Sequence, residues 1–155
     1  MTRIPRPARM LGLVAASGLL LAGCTTAGGG FIPTNNGAKN GKAVFGFTVT
    51  DEADGDVMRG SWTDGSVKFR FVTGGFDFLA SGGCVPISGT YTSTTKPTTG
   101  QSGSFDLEVC DFGEPGPTSG DSIDLDPTSG PFSWYSNSGT LNGGNLKINS
   151  SNDSP

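Results

Sequence analysis

Apolar residues recur at every second position in a series of short runs over residues 42–149. In the segment VKFRF at 67–71, for instance, Val67, Phe69 and Phe71 alternate with two basic residues. Such alternation is typical of a β-strand that buries one face, whereas no window of this region sustains apolar residues at helical spacing. The 26 glycines and 10 prolines of the chain also argue against a helical bundle. The pattern therefore predicts an all-β fold.

Turn residues divide this region into segments that have the composition of strands. Asp64 and Gly65, which separate two of them, predict a tight hairpin. We expect an antiparallel β-sandwich of about eight or nine short strands over residues 42–149. The ten Phe, two Trp and two Tyr supply enough apolar surface for a core and argue against disorder. The candidate strands are 43–50, 58–62, 67–72, 76–78, 84–92, 103–110, 122–125, 132–135 and 146–148.

The absence of histidine argues against several classes of function. Histidine is the commonest general base and a common metal ligand, so the usual hydrolase and zinc mechanisms lose a participant. The sequence also contains no Gly-x-Ser-x-Gly segment, the pattern that would indicate a serine nucleophile. The net charge of −4 has the wrong sign for a surface that binds nucleic acid. We therefore expect that the protein is not an enzyme, and that it has no catalytic residue, no cofactor and no nucleic-acid partner.

The first residues of the chain have the organisation of an export signal. Three arginines precede an apolar segment over 10–22, which is shorter than the roughly 20 residues of a spanning helix. The segment ends in LAGC at 21–24, which resembles the lipobox of bacterial lipoproteins. The resemblance implies cleavage before Cys24, acylation of its sulfur by palmitate or a similar chain, and a lipid anchor on the extracytoplasmic face of the bacterial cell membrane. An ordinary secretory signal cleaved near a cysteine is the alternative.

The rest of the chain divides by composition. The signal accounts for residues 1–23, and small, polar, glycine-rich residues follow it. We expect the lipidated Cys24 and a flexible tether over 24–41, the β-sandwich domain over 42–149, and a disordered polar tail over 150–155.

Two cysteines remain once Cys24 is assigned to lipid. In an oxidising compartment Cys84 and Cys110 predict a disulfide, which stabilises the fold by about 3–4 kcal/mol in the chain-entropy model. The alternation places Cys110 on the same face as Asp106 and Glu108, so we expect a cross-strand bridge on the outer face. Two free thiols, with no histidine to activate them, are the alternative. Loss of the signal also removes three of the ten basic residues, which leaves seven against 14 acidic ones and a net charge of −7.

Five segments together carry a resemblance to a known type of module. They are GKAVFGF at 41–47, FDFLASGG at 76–83, ISGTYT at 87–92, GSFDLEVCDFGEPG at 103–116 and YSNSGTLNGGNLKI at 135–148. In this order they resemble the post-choice-of-anchor type of secreted module found on bacterial surface proteins, over nearly all of residues 41–149. The resemblance implies a compact β-sandwich without an established activity.

Acidic residues cluster in two loops that could offer oxygen ligands to Ca²⁺. Asp111, Glu114 and Asp121 surround a loop rich in proline and glycine and are candidate Ca²⁺ ligands. The other cluster is the turn that holds Asp51, Glu52, Asp54 and Asp56. Its spacing does not match the EF-hand loop, and acidic residues are common in solvated turns, which is the interpretation we favour for both loops.

Two features of the sequence could serve to cleave or bind glycans. The carboxylate pairs Asp106/Glu108 and Asp124/Asp126 meet the separation that glycosidases use, although any outward strand face offers it. The other feature is a set of aromatic residues, Trp62, Tyr91, Trp134 and Tyr135, which could form a platform for sugars. Core packing is the interpretation we favour for aromatic side chains on strands.

These observations favour a membrane-anchored extracytoplasmic lipoprotein with a non-enzymatic binding or structural β module of the bacterial cell envelope. Its partner would be a cell-envelope protein or a cell-wall polymer. An accessory or phage-type exclusion lipoprotein that blocks a membrane partner is the alternative. A Ca²⁺-binding or glycan-active surface module is a lesser one.

Overall fold

The computed structural model describes residues 25–50, 56–76 and 82–149, and the regular secondary structure of this part of the chain is nearly all β. The strands are β1 (Thr25–Pro33), β2 (Lys42–Thr50), β3 (Val57–Asp64), β4 (Val67–Phe76), β5 (Cys84–Ser93), β6 (Ser102–Cys110), β7 (Ser122–Pro127), β8 (Asn137–Thr140) and β9 (Gly143–Asn149). One short helix, α1 (Gly116–Ser119), lies between β6 and β7. No helix in the described ranges is long and apolar enough to cross a membrane.

All nine strands belong to one antiparallel sheet with the order β8-β7-β6-β5-β4-β3-β2-β1-β9. Strands β8 and β9 therefore lie at opposite edges, yet only Leu141 and Asn142 separate them in the chain. A link of this length spans at most about 11 Å, so the two edges must come close together. The Leu141 amide donates to the Asp121 carbonyl beside β7 (2.8 Å), and the Asn142 amide donates to the Phe31 carbonyl in β1 (3.0 Å). The sheet is consequently curled into a half-barrel.

The core fills the concave inner face of this sheet. Along β2, Phe45 and Phe47 are buried while Val44 and Thr48 are exposed, as the period of two predicts. Aromatic rings pack across neighbouring strands, with ring centroids 5.7 Å apart for Phe45 and Trp62. Phe69 and Tyr91 are a further pair on adjacent strands, at 4.7 Å, and Phe71 contacts Phe105 two strands away, at 4.9 Å.

Glycines on the inner face leave room for these rings and for the backbone of adjacent strands. Gly28 and Gly60 lie opposite Phe47 from the two neighbouring strands. A Cβ on Gly60 would lie 2.1 Å from the Gly46 carbonyl oxygen, and one on Gly28 would lie 2.3 Å from a Leu146 methyl group. Gly60 also has a φ of 148°, which L side chains rarely adopt. The high glycine content is therefore partly a packing requirement of the curled sheet.

The predicted disulfide is confirmed. Cys84 and Cys110 are directly opposite each other in the β5–β6 ladder, with their Cα atoms 4.0 Å apart. Cys110 has the parity of the exposed Glu108 rather than that of the buried Val109, so the bridge crosses the outer face as expected. Its side chain is nevertheless only 6% exposed. The bridge joins the two strands at the end of the sheet where β1 begins.

The all-β, antiparallel prediction is confirmed, but the predicted sandwich is wrong, because the described strands form one sheet instead of two packed ones. A period of two shows that a strand buries one face, and does not show whether the covering layer is a second sheet or the same sheet after curling. The two-residue link between β8 and β9 makes the same sheet curl over its own core. It does so because the two strands lie at opposite edges of the sheet, and strand order cannot be read from the alternation.

The predicted flexible tether over 24–41 is contradicted at residues 25–33, which form a strand. Thr25–Pro33 is β1, which pairs with β2 on one side and β9 on the other. Its sequence is poor in strand-forming residues because two of its inward positions, Gly28 and Gly30, must stay small. The predicted signal, Cys24 and the tail over 150–155 lie outside the described residues.

Most of the candidate strands are confirmed within a few residues, with two exceptions near the C-terminus. The segment 132–135 is a turn rather than a strand, and its aromatic residues belong to a loop that covers the core. β8 follows it at 137–140, in a polar segment without alternation. The candidate strand 76–78 coincides with the end of β4 at Phe76, and the rest of it lies outside the described residues.

The packing role of glycine predicts that Gly89→Ala destabilises the protein by about 1–3 kcal/mol. The new methyl group would lie 2.1 Å from the Thr73 carbonyl oxygen and 2.7 Å from Gly74 Cα, so the backbone of β4 would have to move. The measurement is the free energy of unfolding in urea. Gly46→Ala is the matched control, because its Cβ would meet no atom closer than 3.9 Å. Equal losses for the two variants would contradict this explanation.

Candidate functional site

Each of the three candidate Ca²⁺ ligands contacts the edge strand β9, but they do not form a group of ligand atoms within 4.8 Å of one another. The Ile148 amide donates to Asp111 Oδ2 (3.0 Å), and the Leu146 amide donates to Asp121 Oδ2 (3.2 Å). The Asn145 side chain donates to Glu114 Oε1 (2.6 Å). The loop between β6 and β7 thus supplies carboxylates to the backbone of a strand that has a sheet neighbour on only one side.

Asp121 is the centre of this arrangement and is fully buried. Besides Leu146, it accepts hydrogen bonds from the Phe112 amide (2.9 Å) and from the Ser119 hydroxyl (3.0 Å), both at Oδ1. A buried carboxylate needs such donors, and here both oxygens have them. The contacts assign Asp121 the structural role of holding its own loop against β9.

The grouping of possible metal ligands is different from the predicted one. Among the described residues, only Cys84, Glu108 and Cys110 offer three ligand atoms within 4.8 Å of one another. Both of these cysteines are in the disulfide, so neither provides the thiolate that binds metals. Of the acidic turn, Asp51, Glu52 and Asp54 lie outside the described residues, and Asp56 is partly buried.

The predicted aromatic platform is divided between the core and the surface. Trp62, Tyr91 and Tyr135 are buried, as the core interpretation predicts. Trp134 is 66% exposed, and its indole N–H donates to the Pro131 carbonyl (3.0 Å). Its ring meets the edge of the Tyr135 ring at a centroid distance of 6.1 Å. Trp134 is therefore an exposed ring with internal contacts that restrict its orientation.

A buried acid that the sequence did not single out supports the loop that carries Trp134. Asp64 is fully buried at the end of β3, and its Oδ2 accepts from the Tyr135 hydroxyl (2.9 Å) and from the Asn137 amide group (3.2 Å). The backbone amides of Asn35 and Asn36 also donate to it, at 3.0 and 3.2 Å, and the Thr34 hydroxyl donates to its Oδ1. Asp64 thus joins the 34–41 and 128–136 connections. The sequence feature that could have indicated its burial is that Asp64 lies two residues after Trp62, and therefore on the same face of the strand.

The two tyrosines of the chain are held in their neutral form. Burial raises the pKa of the Tyr135 phenol far above its ordinary value, and its hydrogen bond to Asp64 and the charge of that carboxylate raise it further. Burial also raises the pKa of Tyr91, and the hydrogen bond from the Phe132 amide partly opposes this shift. Trp62 donates to the Tyr135 oxygen (2.9 Å), so this hydroxyl has both a donor and an acceptor as neighbours.

The carboxylate pairs considered for glycoside cleavage form one patch on the outer face of β6 and β7. Asp106 lies directly opposite Asp126, and Glu108 directly opposite Asp124. All four side chains are exposed, and the Ser88 hydroxyl donates to Asp106 (3.0 Å). They line an open groove on the outside of the sheet, together with Pro86, Ser136 and Ser138. The patch is solvated and open, unlike the cleft that places two acids across a glycosidic bond.

The edge contacts predict that Asp121→Ala lowers the free energy of unfolding by about 2 kcal/mol or more. The substitution leaves the amides of Phe112 and Leu146 without their acceptor, and each unpaired buried donor costs about 1–3 kcal/mol. Urea unfolding monitors the change. Glu114→Ala on the same loop is the control, because that carboxylate is exposed and should cost less than about 1 kcal/mol. A rise in melting temperature with millimolar Ca²⁺ that Asp121→Ala abolishes would instead support a metal site.

The raised pKa values of Tyr91 and Tyr135 predict a loss of stability at alkaline pH. Both pKa values are higher in the folded chain than the value of about 10 in an unfolded one, so unfolding releases protons above that pH. Their contribution to stability is complete below about pH 10 and declines as the pH rises further. Tyrosinate absorbance is the measurement, in native buffer and in urea. A native midpoint equal to the midpoint in urea would contradict the prediction.

Comparisons with known proteins add no relative: no family model, curated protein or solved structure matches this chain. The resemblance to post-choice-of-anchor modules therefore stays a prediction from the segments that suggested it.

Proposed function

We propose that this protein is a membrane-anchored extracytoplasmic lipoprotein whose β module binds a partner in the bacterial cell envelope without catalysing a reaction. The lipid anchor is Cys24, and the partner is an envelope protein or a cell-wall polymer. The observation that carries the proposal is the exposed ring of Trp134, 66% accessible on a loop that is fixed from beneath.

Rigid support distinguishes Trp134 from an incidental surface aromatic residue. Its neighbour Tyr135 donates to the buried Asp64, and the Asn35 side chain donates to the Ser136 carbonyl at 2.7 Å. The two residues that follow Trp134 are thus fixed, one by Asp64 and the other by the 34–41 connection. A preorganised aromatic side chain loses little conformational freedom on binding, which is why tryptophan is common among the residues that dominate binding energy.

The position of Trp134 suits a module that is anchored at its N-terminus. β1 begins at Thr25, next to the proposed lipidated residue, and alternating strand directions place the 128–136 connection at the opposite end of the sheet. With no tether between anchor and sheet, the Thr25 end would stand at the membrane surface. The Trp134 end would then face away from the membrane, toward other components of the envelope.

The buried polar groups of the module have structural roles that need no reaction to explain them. Asp64 and Asp121, both fully buried, accept hydrogen bonds that hold connections against the sheet. The two tyrosines are protonated at neutral pH, and burial raises their pKa values further from it. This supports a binding function over an enzymatic one.

One observation favours the alternative of an exclusion lipoprotein that blocks a membrane partner. Because β1 starts one residue after Cys24, the end of the sheet with the disulfide would lie close to the lipid surface. That end also presents Phe112, which is 52% exposed. A membrane protein beside the anchor could contact this side chain without involving Trp134.

The two positions provide a direct test with matched variants. Trp134→Ala and Phe112→Ala each remove one exposed aromatic ring, at opposite ends of the sheet. We expect Trp134→Ala to reduce retention on purified cell-wall sacculi, or capture by an envelope protein, by about tenfold or more, as for a residue central to an interface. Phe112→Ala should retain binding. The opposite result would support the exclusion function, and turnover of ester, peptide or glycoside substrates would contradict a non-enzymatic module.

The anchor is tested separately by growing cells in labelled palmitate. The wild-type chain should incorporate the label and partition with membranes, whereas Cys24→Ser should do neither. Incorporation that persists in Cys24→Ser, or a wild-type chain that stays unlabelled in the soluble fraction, would contradict the lipoprotein proposal without affecting the role of Trp134.

A further inference from the structure

We propose that copies of this chain associate side by side, with the acidic face of one copy against the basic face of the next. The acidic face is the patch of Asp106, Glu108, Asp124 and Asp126 on the outside of β6 and β7. The basic face is the set of Arg59, Lys68 and Arg70 on the outside of β3 and β4. This interface goes beyond the proposed function and does not depend on Trp134.

The basic face is defined by the register of β3 and β4. Lys68 lies opposite Thr63 and Arg70 opposite Ser61, so both side chains are on the outer face, where they are exposed. Arg59 is two residues from Ser61 on β3, and is therefore the diagonal neighbour of Arg70, at about 7–8 Å. Three positive charges thus lie on two adjacent strands.

The acidic face contains an unfavourable arrangement within a single copy. Asp106 and Asp126 are a directly opposed pair, as are Glu108 and Asp124, and like charges in this relationship destabilise a sheet. In the described ranges none of these four carboxylates forms an ion pair, although Ser88 donates to Asp106. A cationic surface brought against the patch would relieve the repulsion.

The two faces cannot neutralise each other within one molecule, because β5 lies between them. Its outer side presents hydroxyl groups, which bond to neighbouring strands: Thr90 with Thr73 at 2.7 Å and Thr92 with Ser102 at 3.3 Å. The sheet also curves, so the two charged faces point in different directions. Each face is consequently available to a second copy.

The charges have matching periods on the two faces. Lys68 and Arg70 are separated by two residues on one strand, as are Asp106 and Glu108, which gives about 7 Å in both cases. A cationic pair can therefore lie along a carboxylate pair without a shift in spacing. When two copies share one such contact, it joins two different surfaces and is heterologous, so further copies can add to form a ring or an open row.

The test is sedimentation of the secreted full chain carrying Cys24→Ser, so that lipid does not contribute to association. At low ionic strength, about 0.01 M, the Debye length is about 30 Å, and we expect the average mass to rise at least about twofold over the monomer with increasing protein concentration. At about 1 M salt, where the Debye length is about 3 Å, we expect monomer. A monomer under both conditions, or association that is independent of salt, overturns the proposal.

Charge-reversal variants identify the faces. D124K/D126K and K68E/R70E should each be monomeric alone at low salt, with melting temperatures that show they are folded. Mixed together, they should associate again, because the unchanged basic face of D124K/D126K can contact the unchanged acidic face of K68E/R70E. The two reversed faces are also opposite in charge. K96E/K147E is the matched control: it makes the same change in net charge as K68E/R70E at exposed positions outside both faces, and it should associate like the parent chain. A mixture that stays monomeric, or loss of association in K96E/K147E, overturns the assignment.

Discussion

The curl of the sheet follows from one short connection, and most other features depend on that curl. Two residues join strands at opposite edges of a nine-stranded sheet. Leu141 makes a backbone hydrogen bond to Asp121 beside β7, and Asn142 makes one to Phe31 in β1. A flat sheet of this width could not accommodate such a link. The curl creates a concave face, and large rings fill that face only because glycines stand opposite them, as Gly28 and Gly60 do beside Phe47. The glycine content, the aromatic content and the strand order are thus all linked to the curl of the sheet.

Buried carboxylates complete the fold where backbone pairing ends. Asp121 accepts from the Leu146 amide in the edge strand, and Asp64 accepts from the amides of Asn35 and Asn36 beyond the end of β1. In both cases an acid replaces the carbonyl that a neighbouring strand would have supplied. The same residue type has another role on the outer face, where Asp106, Glu108, Asp124 and Asp126 are exposed and form no ion pair within the described ranges. Burial and parity, rather than residue type, separate the structural acids from the surface ones.

Local pattern predicted the strands that bury one face, and it failed where a long-range requirement decided the outcome. β2 to β7 are visible from their alternation, and Cys84 and Cys110 are opposed as their parity predicts. β1 is not visible, since glycines replace the apolar residues that would have marked its inner face. The aromatic residues at 132–135 resemble a strand because the same side chains also serve to cover the end of a core. The hydrogen bonds of Asp64 and Asp121 join residues distant in sequence, so their structural roles could not be predicted, whereas the exposed carboxylate patch follows from local parity.

The pairing of β1 with β9 has a consequence for the order in which this fold can form. A chain is synthesised from its N-terminus, so β1 is the first strand to be available and β9 is the last. β1 can pair early with β2, but its second neighbour does not exist until almost the whole chain has been made. The native sheet is therefore a late event, and a chain truncated before residue 143 would expose the full length of its first strand as an edge.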